Sequence, residues 1–302
     1  MRLIHRRKKD EKKLSITSTS VTTIPRIESH KQKQSSDPLT ISDYWESRLE
    51  KNFGLHGTGF IGLGREYNNL LYKVKRNVFI RKMKSMAIDF TGLDVLDIGC
   101  GTGFYVDLWN KIGVRNVSGI DITNIAVRTL KSKYPDREFY RADISNQEDI
   151  EKINAKKYDI VSAFDILYHI VDDKKYDTAI KNIHSVLKPN GIFVFSDFFI
   201  HGPAQRSTYQ VSRSLAHNEK TLTENGFKII RRCPMFVLMN TPVDTTRTVS
   251  KKMWKVVSLT LQKYGDTAGS MIGGILYPLE MMLVSLLEES PSTEMMICKR
   301  RE

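Results

Sequence analysis

The sequence predicts a doubly wound α/β domain on a mostly parallel sheet, and three observations carry that prediction. Short, nearly continuous apolar runs occur at LDVLDI (93–98), NVSGID (116–121), REFYRA (137–142), YDIVSAF (158–164) and GIFVFSDF (191–198). Segments of helical periodicity at 103–112, 124–133 and 174–187 separate them. A glycine-rich junction joins the first run to the helix after it. Strands that read as unbroken apolar runs are covered on both faces, and their alternation with helices calls for parallel crossover connections. With 302 residues, 40% of them hydrophobic and 27% charged, the chain has enough material for one such core with appendages.

Residues 1–38 are basic, then rich in Ser and Thr (SITSTSVTT), and have no periodic apolar pattern, which predicts a flexible basic tail. Residues 1–40 hold ten Lys/Arg against four Asp/Glu, so nearly half of the net charge of +13 sits there. The remaining surplus is spread too thinly for one dominant basic stripe. The start, MRLIHRRKKDEKKL, lacks the apolar run of a secretory signal, and its acidic residues count against a transit peptide. Cys100, Cys233 and Cys298 are too few and too scattered for a disulfide framework or a Cys-rich zinc site, so the chain reads as cytoplasmic and metal-independent.

Residues 39–90 are expected to form a helical extension. SDYWESRLEKNF offers Ser42 as an N-cap and sets Trp45, Leu49 and Phe53 four apart on one face. FGLHGTGFIGLG has five glycines in twelve residues and reads as a loop. From Arg65, the apolar residues Tyr67, Leu70, Leu71, Val74, Val78 and Phe79 recur at helical spacing. The α/β domain then occupies 91–302. Beyond its fifth strand, a helix near 215–225 precedes a strand in GFKIIRRC, and STEMMICKR reads as the last strand. Between these two lies an insertion, about 243–290, carrying Met253, Trp254, Val257, Leu261 and the apolar stretch from Met271 to Leu287. That stretch is interrupted by Gly273, Gly274, Pro278 and Glu280, so it predicts a buried or interfacial helix rather than a membrane span and leaves surface association open.

The chemistry concentrates in Val95-Leu96-Asp97-Ile98-Gly99-Cys100-Gly101-Thr102-Gly103, a strand running into alternating glycines and a helix. Glycines allow a sharp turn and let a ligand lie against the backbone. A dinucleotide fingerprint would read G-x-G-x-x-G. Here the spacing is G-x-G-x-G, with Asp97 two residues before it. A carboxylate there repels phosphates and attracts an ammonium or sulfonium centre. Asp121 ends the second run, 22 residues after Gly99, the distance expected of an acid that accepts hydrogen bonds from ribose hydroxyls. Asp143 and Asp165 end the third and fourth runs. Four strands ending in carboxylates on one edge define a ligand crevice.

From Asp94 to Asp197, with weaker support to the C-terminus, the sequence resembles the class I S-adenosylmethionine-dependent methyltransferases. VLDIGCGTG matches their first motif, and GID, RADI, FDILYHI and LKPNGIFVFSD follow in the family's order. The resemblance implies strand order 3-2-1-4-5-7-6 with the final strand antiparallel. It also implies S-adenosylmethionine as cofactor. Gly99, Cys100, Gly101 and Gly103 would form the loop under its methionine end, with Asp97 near its amino group. Asp121 would take the ribose hydroxyls, Ile122 would pack on adenine, and Asp143, Ile144 and Phe164 would complete the cofactor site. The stretch YWESRLEKNFGLHGTGFIGLGREYNNLLYKVKR is similar to a helical extension found in a bacterial branch of the family. There, this region and the late insertion commonly build the acceptor pocket.

Methyl transfer needs a nucleophile held in line with the methyl group and water kept out. His169, after the fourth strand, and His201, after the fifth, are candidate general bases, with positional or packing roles as their alternatives. Tyr168, Tyr209 and Arg213 are candidates for orienting an acceptor. FDIL stands where enzymes that methylate an exocyclic base amine carry N/D-P-P-F/Y, and Cys100 inside the turn is no nucleophile of the cytosine-methylating kind. The expected acceptor is a small, partly hydrophobic molecule methylated on oxygen, or on nitrogen or carbon. RNA, protein, or cofactor binding without turnover are the alternatives.

Overall fold

The computed structural model describes residues 40–153 and 156–302, all within the compact unit Ser35–Glu302. The expected tail over 1–38 lies outside the described residues. Three helices come first: α1 (Ile41–Lys51), α2 (Leu55–Thr58) and α3 (Arg65–Lys84). The alternating region follows as β1 (Asp94–Ile98), α4 (Phe104–Ile112), β2 (Asn116–Asp121), α5 (Asn124–Lys133), β3 (Phe139–Arg141), α6 (Gln147–Ile153), β4 (Tyr158–Ala163), α7 (Asp173–Val186) and β5 (Leu187–Asp197). The two-residue strands β6 (Gln205–Arg206) and β7 (Val211–Ser212) pair with each other. The chain closes with α8 (Leu215–Glu224), β8 (Phe227–Pro234), α9 (Thr248–Leu286) and β9 (Glu294–Arg300).

The main sheet has seven strands in the order β3-β2-β1-β4-β5-β9-β8, with β9 antiparallel to both of its neighbours and the pairings from β3 to β5 parallel. This is the doubly wound arrangement that the resemblance implies. Alternation along the strands explains why each read as an unbroken apolar run. Val95, Val117, Ile160, Val194 and Ile297 enter a core with Tyr67, Val78, Phe79, Trp109 and Trp254 from α3, α4 and α9. Their neighbours Leu96, Ile120, Val161, Phe193, Met296 and Cys298 enter a second core with Ile150, Tyr176, Ile180 and Leu222 from α6, α7 and α8.

Several local expectations change. The N-cap of α1 is Thr40, not Ser42: Thr40 Oγ1 accepts from the Asp43 amide and Asp43 answers to the Thr40 amide, a reciprocal capping box. Ser42, inside the helix, instead donates to the Ile122 carbonyl at 3.1 Å. The third strand shrinks to three residues, since Arg141 is exposed and Ala142 already turns toward Asp121. The glycine-rich loop contains α2 and a short 3-10 turn, Ile61–Leu63.

Helix α9 is two helices joined at Gly265, whose φ of 57° and ψ of −134° break the helical path. It packs along α3, and Glu280, one of its two acids, is fully buried. Glu280 accepts hydrogen bonds from the amides of Val237, Leu238 and Met239, the last two at 2.7 and 2.8 Å. Those three donors follow β8 and have no ladder partner, so the carboxylate fastens α9 to the sheet's edge. Glu280→Ala strands the donors in a dry site and is expected to cost about 3 kcal/mol. Denaturant unfolding measures it, and a change below about 1 kcal/mol would contradict this role.

Candidate active site

The turn after β1 requires its glycines. Gly99, Gly101 and Gly103 have φ of 67°, 49° and 83°, in the left-handed region, and a Cβ on Gly99 would come within 2.1 Å of Ile166 Cδ1. The Gly99 and Cys100 amides both donate to the Ile120 carbonyl, and the Gly101 amide donates to Asp121 Oδ2 at 2.9 Å. Asp121 Oδ1 accepts from the amide and hydroxyl of Thr123 at 2.9 and 2.7 Å. The carboxylate that ends β2 therefore holds the turn that ends β1.

Two acids here are buried without a salt-bridge partner among the described residues. Burial pushes the Asp97 carboxyl up to about 7; the charge of Asp121 adds to that, and a 2.6 Å hydrogen bond from Ser162 opposes it. Ser162 is held in turn by the Trp109 indole at 3.0 Å. Burial also raises Asp121, against the hydrogen bonds from Thr123 and Gly101 and with help from the charge of Glu46. Burial drives the Cys100 thiol well above its usual range, with the charges of Asp121 and Asp97 adding to it, so it is no thiolate nucleophile.

A cavity of about 160 Å³ opens against this turn. Ile98, Gly99, Cys100, Gly101, Thr102, Asp121 and Ile122 form its floor. Ala142 and Ile144 border one end, and Phe164, Asp165, Ile166, His169 and Ile170 the other. Ile41, Trp45 and Leu49 of α1, Thr58 of α2 and Tyr72 of α3 roof it. The roof is tied down: Glu46 accepts from the amides of Asn124 and Ile125 at the start of α5, at 2.6 and 3.0 Å. Arg48 reaches the carbonyls of Gly57 and Gly59 and lies 4.8 Å from the centre of the Trp45 ring.

Of the residues singled out from the sequence, Gly99, Cys100, Gly101, Asp121, Ile122, Ile144, Phe164 and His169 line the cavity. Asp97, Gly103 and Asp143 stand outside the lining: Gly103 caps α4, and Asp143 Oδ1 accepts from the Ser145 amide and hydroxyl. His201 is not brought to the cavity. It is more than half exposed and pairs with Asp244 at 2.6 Å, a bond that raises its pKa. Arg213 is buried against Asp173, the Ile170 carbonyl and the Tyr176 ring, which makes it a structural cation. Tyr168 is buried outside the lining, while the Tyr209 ring stacks on Tyr44.

His169 Nδ1 meets the Tyr209 carbonyl at 3.0 Å, which fixes the proton on Nδ1 and leaves Nε2 as the acceptor. Burial pulls its pKa down to about 4, so the ring is neutral at ordinary pH. The sequence placed Asp165 at a strand end without a partner and gave Lys75 no role in the site. Asp165 sits at φ 61°, unusual for a residue with a side chain, and is held there by Ser196 and by Lys75 Nζ at 2.5 Å. For Lys75, burial disfavours the charge, but Asp165 and Tyr72 outweigh it and the pKa ends raised. Position gave a signal: Lys75 lies four residues after Leu71 and three before Val78, on the buried stripe of α3. Tyr105 stacks on Phe164 with its hydroxyl buried and unpartnered.

The methyltransferase-domain family matches residues 72–232, more than half of the chain, which therefore belongs to that family: it is a class I S-adenosylmethionine-dependent methyltransferase. Among curated relatives, the chain is 29% identical to the mRNA cap guanine-N(7) methyltransferase of Schizosaccharomyces pombe, over 43% of this chain and 37% of that protein. It is 30% identical to a ubiquinone biosynthesis O-methyltransferase of Bradyrhizobium diazoefficiens, over 51% of this chain and 56% of the relative. The matched regions thus span little more than half of these relatives, or less. The magnesium protoporphyrin IX methyltransferase (ChlM) of Synechocystis PCC 6803, solved with bound SAH, shares the fold at a TM-score of 0.51 and 17% identity, covering 86% of this chain and 97% of that one.

The cofactor of the family is S-adenosylmethionine, and the residues present fit it. A buried acid without a cation beside the turn suits an ammonium group, and the glycine cradle leaves room where any side chain would intrude. S-adenosylhomocysteine should accordingly bind more weakly as pH falls through about 7, because Asp97 takes up a proton and loses its charge. Calorimetry should show about a tenfold loss per pH unit below that point. Asp97→Asn should weaken binding and flatten the pH dependence, and a profile unchanged by this substitution would contradict the assignment. Gly101→Val and Asp121→Ala should each abolish binding in a folded chain.

Proposed function

We propose that the chain transfers the methyl group of S-adenosylmethionine to an oxygen of a small, partly hydrophobic acceptor. The observation that carries this reading is the roofed, largely apolar cavity: Ile41, Trp45, Leu49, Tyr72, Phe104, Ile166 and Ile170 surround a few polar groups next to the glycine turn. Asp97 would hold the amino group of the cofactor and Asp121 its ribose, with Ile122, Asp143 and Ile144 around adenine. Bound there, the cofactor supplies a methyl carbon made electrophilic by positive sulfur.

The chain's own residues account for the rest. The roof of α1, α2 and α3 excludes water and confines the acceptor, which is most of what a displacement at an activated carbon needs. Neutral His169, its tautomer set by the Tyr209 carbonyl, accepts the proton of an acceptor hydroxyl at Nε2. Asp165, pinned by Lys75 and Ser196, provides a fixed acceptor for a second polar group of the substrate. The O-methylating relative supports this reading. The cap guanine-N(7) relative supports a second one, in which RNA is methylated, and the roofed, largely apolar lining favours the first.

The test is product analysis by mass spectrometry after incubating the chain and S-adenosylmethionine with a panel of small phenols and carboxylic acids, and separately with capped RNA. The expected result is an O-methylated small molecule. Methyl transfer to RNA alone would overturn the proposal. His169→Asn should lower kcat about a hundredfold while the affinity for S-adenosylhomocysteine holds. With cofactor saturating, His169 is neutral above about pH 5, so kcat should show no acid limb from this group until pH approaches about 4. A histidine limb near the ordinary value would contradict the buried, neutral ring.

A further inference from the structure

The geometry points to α9 as a docking surface for an anionic lipid bilayer, on which the helix lies flat. The observation is an apolar face that packing leaves uncovered. In the second half of α9, Met271, Ile275, Leu279, Met282 and Leu286 recur at spacings of four, four, three and four and so share one side. Met271, Ile275 and Leu286 are each about two thirds exposed, at 66%, 67% and 70%. The stripe runs for about 22 Å at the usual helical rise. From Thr267 to Leu287 the only acidic or basic side chain is Glu280, and that one is turned inward onto the backbone of Val237, Leu238 and Met239. The helix has the length and hydropathy to cross a membrane, yet α3 and the sheet occupy its other side, so the outward face alone is free for contact.

Charge says what covers the face. In the first half of α9, exposed Val249, Met253 and Val256 are accompanied by Lys251, Lys252, Lys255 and Lys263, with no acid between Thr248 and Gly265. Beside the second half, α3 contributes Lys73, whose ammonium sits over the Tyr277 ring at 4.5 Å, and Arg81, which reaches Ser285 and the Val284 carbonyl. The acids nearby are engaged or terminal: Asp266 accepts from the amides of Arg65 and Glu66, Glu289 pairs with Arg232, and Glu66 and Glu288 lie at the ends of the stripe. An uncharged apolar strip bordered by lysine and arginine matches acyl chains beneath anionic headgroups, the pattern of a helix lying in the membrane interface. A protein groove would satisfy the strip but not require the mainly positive border. Residues 1–40 add six further net positive charges to the same chain.

Co-sedimentation of the full chain with vesicles tests the surface, independently of any methyl acceptor. Binding is expected to vesicles of phosphatidylcholine mixed with phosphatidylglycerol, weak to phosphatidylcholine alone, and reduced by high salt. The triple substitution Met271→Gln, Ile275→Gln and Leu286→Gln removes exposed apolar groups only. It should lower partitioning about tenfold or more while affinity for S-adenosylhomocysteine is retained. Lys252→Glu with Lys255→Glu should abolish the preference for the anionic lipid. No binding to either vesicle would overturn the proposal. So would undiminished binding of the triple variant, which would locate the contact elsewhere in the chain. Light scattering that shows a dimer in the parent and a monomer in the triple variant would assign the face to a second copy instead.

Discussion

Two carboxylates, Asp97 and Asp121, are buried beside the glycine turn with no cation to balance them among the described residues, and the rest of the site is arranged around that constraint. Burying an unpaired acid is costly, and the protein offsets only part of the cost with hydrogen bonds. The Trp109–Ser162–Asp97 relay and the bonds from Gly101 and Thr123 to Asp121 fix where the negative charge lies. What they leave unbalanced is a standing preference for a positive ligand. Because Asp121 also holds the Gly101 amide, the group that shapes the turn is the group that faces the cavity.

The roof follows from the same edge of the sheet. Glu46 caps the start of α5, and Ser42 reaches the Ile122 carbonyl, so α1 is seated on the ends of β2 and its following turn by contacts that are polar and partly exposed. Each such bond is worth about 1 kcal/mol net, and buried Leu49 adds apolar packing to the same seat. The far end of the cavity holds a strained residue. There Asp165 occupies a backbone conformation that costs roughly 1–3 kcal/mol, maintained by Lys75 and Ser196. A roof seated by hydrogen bonds over a strained wall suits a site that encloses a cofactor and orients an acceptor.

Much of this fold was legible because strands buried on both faces leave an unmistakable apolar trace, and because the glycine spacing and the acid 22 residues on are local features. Features set by tertiary context were not. Thr40 outcompetes Ser42 as the cap because Asp43 can answer it, and Ser42 finds a partner 80 residues away. His201 and His169 looked alike as histidines after adjacent strands; only packing shows one pairing with Asp244 at the surface and the other in the cavity wall, edge-on to Trp45. Lys75 sat on an apolar stripe where its partner, 90 residues distant, could not be read. For α9, hydropathy identified an apolar helix but could not say which side the protein would leave uncovered.

The most direct measurement of the central claim is the titration of Asp97 itself, followed by carbon NMR of its side-chain carboxyl in the ligand-free chain and in the chain saturated with S-adenosylhomocysteine. The account predicts a free value near 7 that falls into or below the ordinary carboxylate range once an ammonium group sits beside it. A value that is ordinary in the free chain, or that does not move on saturation, would contradict it.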